Sequence, residues 1–163
     1  MSTSEQFINM LLENIKPGPL SDVYKVISTF SEQDKKFMGA RQFYDSAEYR
    51  IIDYSSTNGE PIGYLELKFG PNREWAKINW GLRPKSRGKR AHKGMRPMTK
   101  LWNRCLEDNK GIIIVGAIDK ENIASIKFSL KMGMKKITST AELKKYKFYE
   151  IRGNCVFFKY VNK

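Results

Sequence analysis

One histidine and two cysteines in 163 residues leave little for metal chemistry. A structural zinc site takes four Cys or His ligands, and His92, Cys105 and Cys155 cannot supply them, so no metal is expected. The two cysteines fall in an expected helix and an expected strand, and nothing spaces them as ligands. They read as reduced thiols of a cytoplasmic protein. No apolar run approaches the roughly 20 residues of a membrane span. Residues 1–6 are polar and lack the basic-then-apolar pattern of a secretion signal. Internal repeats, low-complexity tracts and a linker are missing too. What is present is 40% apolar and 12% aromatic residues, enough for a packed core. The length suits one domain.

Acidic residues are scarce in the second half. Residues 1–82 hold 9 Lys/Arg and 11 Asp/Glu, whereas residues 83–163 hold 21 and 6, so nets of −2 and +15 make up the total of +13. Such asymmetry points to an anionic partner, nucleic acid or ribosome among the candidates, or to a lysine-rich solvated surface.

Along the chain, Phe7, Met10, Leu11 and Ile15 recur at helical spacing, and Lys16-Pro17-Gly18-Pro19 ends that helix. Ser21 or Asp22 is placed to cap a second one, with Val23, Val26, Ile27 and Phe30 as its apolar stripe. Residues 49–54 are β-branched and aromatic, residues 55–61 contain the turn signal Asn58-Gly59, and residues 62–69 complete a hairpin. Residues 75–82 read as a third strand, stopped by Pro84. Residues 97–108 place Met98, Leu101, Trp102, Cys105 and Leu106 on one helical face. Residues 111–118 are almost wholly apolar, as in a central strand covered on both faces. Residues 121–132 form the next helix, with Ile123, Ile126 and Leu130 expected in the core. Two closing strands are expected at 147–152 and 154–160 around a Gly153-Asn154 turn. Trp75, Trp80 and Trp102 read as core rather than as a substrate cage. The order ααβββαβαββ predicts an α/β domain with a mixed central sheet flanked by helices.

Two segments carry chemistry. Between residues 83 and 100 there are eight Lys/Arg and no Asp/Glu. A loop running from a strand into a helix N-terminus presents unpaired backbone N–H groups and the positive end of the dipole. A phosphate fits such a place. The second segment, residues 121–134, follows the apolar strand and reads Asn122, Ser125 three residues on, then an exit Lys131-Met132-Gly133-Met134. Taken alone, Asn122 is an ordinary helix N-cap and Gly133 an ordinary C-cap.

Together the two segments resemble the coenzyme A site of the GNAT superfamily of N-acetyltransferases. Pro84, Arg87 and Gly88 match the phosphate-loop pattern, while Arg90 and His92 hold two positions that the family fills with small residues. Pro97 falls in the first turns of the expected helix. Asn122, Ser125, Lys131, Gly133 and Met134 match the second half, and Ser125 is similar to the branch that acetylates ribosomal-protein amino termini. The resemblance covers residues 45–163. It implies a single acetyltransferase-like domain over 1–163, with N-terminal helices in 1–45 and the core sheet with the coenzyme site in 46–163. It implies acetyl-CoA as cosubstrate and an amine as acceptor. The pyrophosphate would lie against Arg87, Gly88, Lys89, Arg90, Ala91 and His92. The pantetheine arm would meet Asn122 and Ser125, and the Leu82 backbone N–H would face the thioester oxygen.

Acetyl transfer needs a base for the amine and an acid for the departing thiolate. Ser129 occupies the position where many family members carry an acid tyrosine, and a hydroxyl of serine is a poor proton donor. Tyr149 is the alternative acid. Glu66 is the candidate base, against its reading as a solvated strand carboxylate. A nucleic-acid-binding protein on the same fold, with a degenerate coenzyme site, is the competing expectation, carried by Arg90, His92, Pro97 and the basic half.

Overall fold

Alternation and turn chemistry build the first sheet elements where the sequence places them. The computed structural model describes residues 14–38, 41–88, 96–148 and 153–163. Strand β2 (Tyr49–Tyr54) and strand β3 (Pro61–Phe69) pair antiparallel, Arg50 opposite Glu66 and Ile52 opposite Tyr64. A register shift at Asp53/Tyr54 accommodates the turn. Strand β4 (Trp75–Leu82) follows, then helix α4 (Pro97–Asp108) and strand β5 (Ile113–Asp119). Pro97 stands in the first turn of α4, where its missing N–H costs nothing, so it starts the helix rather than kinking it.

Three expectations are corrected. Ile15 does not end a helix: strand β1 (Ile15–Pro17) pairs antiparallel with β2, an edge position that Pro17 tolerates. Residues 1–13 lie outside the described residues. Among the described residues three helices precede β2, α1 (Leu20–Ile27), α2 (Glu32–Phe37) and α3 (Arg41–Asp45). Pro19, not Ser21 or Asp22, stands at the N-cap of α1. After helix α5 (Ile123–Lys131) and the two-residue strand β6 (Lys135–Lys136), the chain forms helix α6 (Thr140–Lys145), capped by Ser139. Lys147 has a left-handed φ of 60° and so is not extended, and residues 149–152 of the expected strand lie outside the described residues. Strand β7 (Cys155–Val161) closes the chain.

Among the described residues seven strands form a mixed sheet in the order β1-β2-β3-β4-β5-β7-β6. The chain divides into two compact units. The first comprises Met1–Leu67 and Asn79–Asn109. Its core joins Val23, Val26 and Ile27 of α1 to Ile52 and Tyr64, with Leu20, Phe30, Met38 and Tyr54 packed around them. Gly81 is obligatory there, since a Cβ would stand 2.8 Å from the Tyr64 ring and 2.9 Å from that of Phe30. A charge pair is buried in this unit, Lys100 Nζ lying 3.2 Å from Asp53 Oδ2. The second unit comprises Lys68–Ile78 and Lys110–Lys163. Trp75, Val115, Ile137, Tyr146 and Phe148 form its core, with Trp75 edge-on to Tyr146 at 5.5 Å. No helix among the described residues is long and apolar enough to cross a membrane.

Candidate active site

In the second unit, β4 and β5 run parallel in register over three pairs, Trp75–Ile113, Ala76–Ile114 and Lys77–Val115. Strand β5 continues for four more residues, Gly116 to Asp119, and turns into α5. Asn122 caps that helix, its Oδ1 accepting from the Ser125 N–H at 3.3 Å. The cap is real, and the Asn122 amide NH2 is a separate donor group.

The helix then turns an unexpected face inward. Ser129 is fully buried, whereas Ile123 is 54% and Leu130 49% exposed, and Ile126 is only half-buried. The expectation that Ile123 and Leu130 lie in the core is therefore wrong. Periodicity finds a stripe on a helix, but α5 carries two stripes. Asn122, Ser125 and Ser129 recur at spacings of three and four just as the apolar residues do. The Ser129 Oγ has no hydrogen-bond partner among the described residues. A buried hydroxyl left without a partner costs roughly 1–3 kcal/mol, a cost a core packed for stability alone avoids.

In the first unit, the Arg83 N–H donates to the Ile62 carbonyl of β3 at 2.9 Å. Backbone groups alternate sides along a strand, so the preceding N–H, that of Leu82, points away from β3. Beyond the strand, Arg87 donates from Nε to the Leu82 carbonyl at 3.1 Å and from Nη1 to Asp34 at 3.0 Å. Burial alone would raise the Asp34 pKa, but the Arg87 hydrogen bond and charge, helped by Ser31, hold it below the usual carboxylate value. Gly88 has φ +72°, and a Cβ there would meet nothing within 4 Å. Glycine is thus required for backbone conformation, the left-handed region being costly for other residues. Lys89, Arg90, Ala91 and His92 lie outside the described residues, as does Tyr149.

Glu66 is not a solvated carboxylate. It is fully buried, and both oxygens accept from guanidinium groups, Oε1 from Arg41 at 2.5 Å and Oε2 from Arg41 and Arg50 at 2.8 Å each. Arg41 and Arg50 escaped sequence reasoning because residues 1–45 carry no readable motif and Arg50 is one charge in a strand. The hairpin register was the usable signal, since it sets Arg50 opposite Glu66.

No family model and no curated protein sequence matches the chain. Solved structures do. An acetyltransferase of the GNAT family from Streptococcus pneumoniae matches over 91% of this chain and 98% of its own, with a TM-score of 0.59 at 9% identity. The fold is that of the GNAT N-acetyltransferases. The spermidine/spermine N-acetyltransferase SpeG from Vibrio cholerae is similar over 91% of this chain and 93% of its own (TM-score 0.58, 15% identity). A ribosomal-protein alanine acetyltransferase from Vibrio fischeri is similar over 70% and 61% (TM-score 0.52, 15% identity). At such identities the likeness speaks to the GNAT fold. Among the described residues no group of His, Cys, Asp and Glu could hold a metal ion.

Proposed function

We propose that this protein is an acetyl-CoA-dependent N-acetyltransferase acting on an amine acceptor. The observation that carries the reading is the inner face of α5, where Ser129 is buried with its hydroxyl unpartnered on a helix capped by Asn122. Among folds of this shape, that face suits a ligand rich in amides and carrying a sulfur. The short β4–β5 ladder supports it as well, since Gly116 to Asp119 continue beyond the last β4 pair.

In the reaction the amine nitrogen attacks the thioester carbonyl carbon. A C–N bond forms, the C–S bond breaks, and the sulfur leaves with the bonding electrons. The Leu82 N–H, facing away from β3, is the donor suited to the carbonyl oxygen as charge develops there. Asn122 and Ser125 hold the pantetheine arm, and the Ser129 hydroxyl donates to the departing sulfur. Ser129 positions and solvates rather than protonates, so Tyr149 stays the candidate acid. Arg87 and Gly88 begin the phosphate loop that Lys89, Arg90, Ala91 and His92 continue. Arg87 holds this loop to Asp34 of α2. Glu66 serves as base once one of its guanidinium partners withdraws. The free thiols of Cys105 and Cys155 fit a cytoplasmic setting.

Isothermal titration with acetyl-CoA tests this directly. Heat of binding with a single site is expected, and its absence at millimolar ligand would sink the enzymatic reading. A second reading draws on exposed Lys127 and Lys131 of α5 and Lys135 and Lys136 of β6, a cluster suited to a nucleic acid or ribosomal surface. Gel shift with RNA and DNA at low salt checks it, and unshifted bands remove it.

A further inference from the structure

Several lysines of the chain are paired with carboxylates. Lys25 lies 3.3 Å from Asp22, Lys100 3.2 Å from Asp53 and Lys159 2.7 Å from Glu142. Lysines around the outer face of α5 are not. Lys127 and Lys131 of the helix and Lys136 of β6 are exposed, and none is paired with a carboxylate among the described residues.

They share one side of the second unit. Ile123, Lys127, Leu130 and Lys131 recur at helical spacing, so they form a single stripe opposite Asn122, Ser125 and Ser129. Gly133, just past the helix, stands against Tyr160, and a Cβ there would meet the ring at 3.6 Å. Lys136 pairs with Phe158, two residues before Tyr160. Alternate residues of a strand share a face, so Lys136 lies on the side of the sheet that α5 covers.

Both features of the stripe are unfavourable in water. Lys127 and Lys131 are like charges four residues apart, a spacing that weakens a helix. Ile123 is 54% and Leu130 49% exposed, so each forgoes much of the stabilisation that burial gives an aliphatic side chain.

The composition of the stripe selects its partner. Nucleic acids are gripped by arginine forks and stacked aromatic rings, and the stripe has neither. Protein interfaces are depleted in lysine, and their centres favour aromatic residues and arginine. Lysines around aliphatic side chains suit an anionic bilayer. Its headgroups offer diffuse negative charge that a compact ammonium meets without fixed geometry. Its acyl boundary takes up aliphatic side chains while lysine stems extend to headgroup level.

We propose that the outer face of α5, together with Lys136, rests on an anionic lipid bilayer, with Ile123 and Leu130 entering the boundary below the headgroups. The helix lies on the bilayer and does not span it, as its nine residues require. This inference goes beyond the acetyltransferase reading and stands without it.

Vesicle flotation of the full chain is the test, comparing phosphatidylcholine alone with phosphatidylcholine containing about 30% phosphatidylserine. The protein is expected to float with the anionic vesicles and not with the neutral ones. Lys127→Gln combined with Lys131→Gln should weaken binding about twenty-five-fold, roughly fivefold for each lysine near a charged surface. Ile123→Ser combined with Leu130→Ser keeps every charge and should weaken it at least about tenfold. Lys110→Gln combined with Lys144→Gln removes the same charge from exposed positions elsewhere, and its effect should stay within about twofold. Equal flotation with neutral vesicles overturns the proposal. So does an aliphatic variant that binds like the wild type, or a control pair as damaging as Lys127 and Lys131. Failure to float with either vesicle overturns it as well. A gel shift with RNA, or retention on polyaspartate resin, that then depends on Lys127 and Lys131 gives the stripe to a nucleic acid or an acidic protein. Acetyl-CoA titration of the same preparation keeps the two readings apart. Coenzyme binding without flotation defeats only the bilayer face, and flotation without coenzyme binding defeats only the acetyltransferase.

Discussion

Ser129 sets the residue-scale question most sharply. Its hydroxyl is buried without a partner among the described residues, so removing it takes away a desolvation cost and no hydrogen bond. Ser129→Ala should leave the unliganded protein as stable as before or more stable by about 1 kcal/mol, while turnover falls. Chemical denaturation and initial rates on one preparation check both halves, and a destabilised variant with normal turnover would falsify the assignment. Asn122→Ala separates differently. Loss of an N-cap costs about 1 kcal/mol, which thermal melts should show, and coenzyme affinity per folded molecule should drop as well. If affinity holds, Asn122 only caps. The local structure around these residues was legible: Asn122 caps α5, Ser125 and Ser129 lie on that helix and Gly88 stands in the loop after β4, while their roles rest on the proposal. Arg41 was not, because a lone arginine on a five-residue helix announces itself by no spacing. Its meaning comes from Glu66 25 residues on and Asn79 38 residues on.

Elements differ in what holds them, and acid should reveal it. The helices before β2 rest partly on carboxylates kept below their usual pKa. Tyr54 lowers Asp22 by donating to it, Tyr24 lowers Asp45 likewise, and Arg87 lowers Asp34 against the effect of burial. A carboxyl with a depressed folded pKa contributes fully above its unfolded value of about 3.9, and that contribution disappears as pH falls through the folded value. Asp53 behaves oppositely: burial raises its pKa while Lys100 pulls it down, so the folded state takes up its proton more readily than the unfolded one. Acidification below about pH 4 should therefore release amide protection in α1, α2 and α3 before β2. Hydrogen exchange across a pH series measures this, and simultaneous loss throughout would count against it. The strands β2 and β4 and helix α4 were readable to the residue, since alternation, Pro84 and Pro97 mark them. The short helices α3 and α6 were not, because neither buries a side chain and so neither carries an apolar stripe. On α5 the stripe was visible and its orientation was not, because hydroxyls hold the inner face.

Charge belongs to the whole molecule. The net of +13 comes from the half that follows β4. Counterions screen exposed charges beyond about 8 Å at physiological ionic strength, so affinity for a phosphate-bearing coenzyme should weaken as salt rises from 50 mM to about 500 mM. A salt series of titrations measures the slope. A flat response would mean that the lysines and arginines of the second half stay clear of the ligand. Composition revealed this imbalance at once, but it could not say which lysines are spread over solvent and which converge.

The two edges of the sheet have a consequence of their own. Among the described residues one edge is β1, three residues ending in Pro17, and the other is β6, two residues, both lysine. A strand edge is a template on which another chain can continue the ladder. Proline withholds an N–H from such a ladder, and adjacent like charges repel any copy that tries to align with them. Among the described residues each margin of the sheet thus carries a stop, so replacing Pro17, Lys135 and Lys136 with apolar strand formers should favour edge-to-edge association.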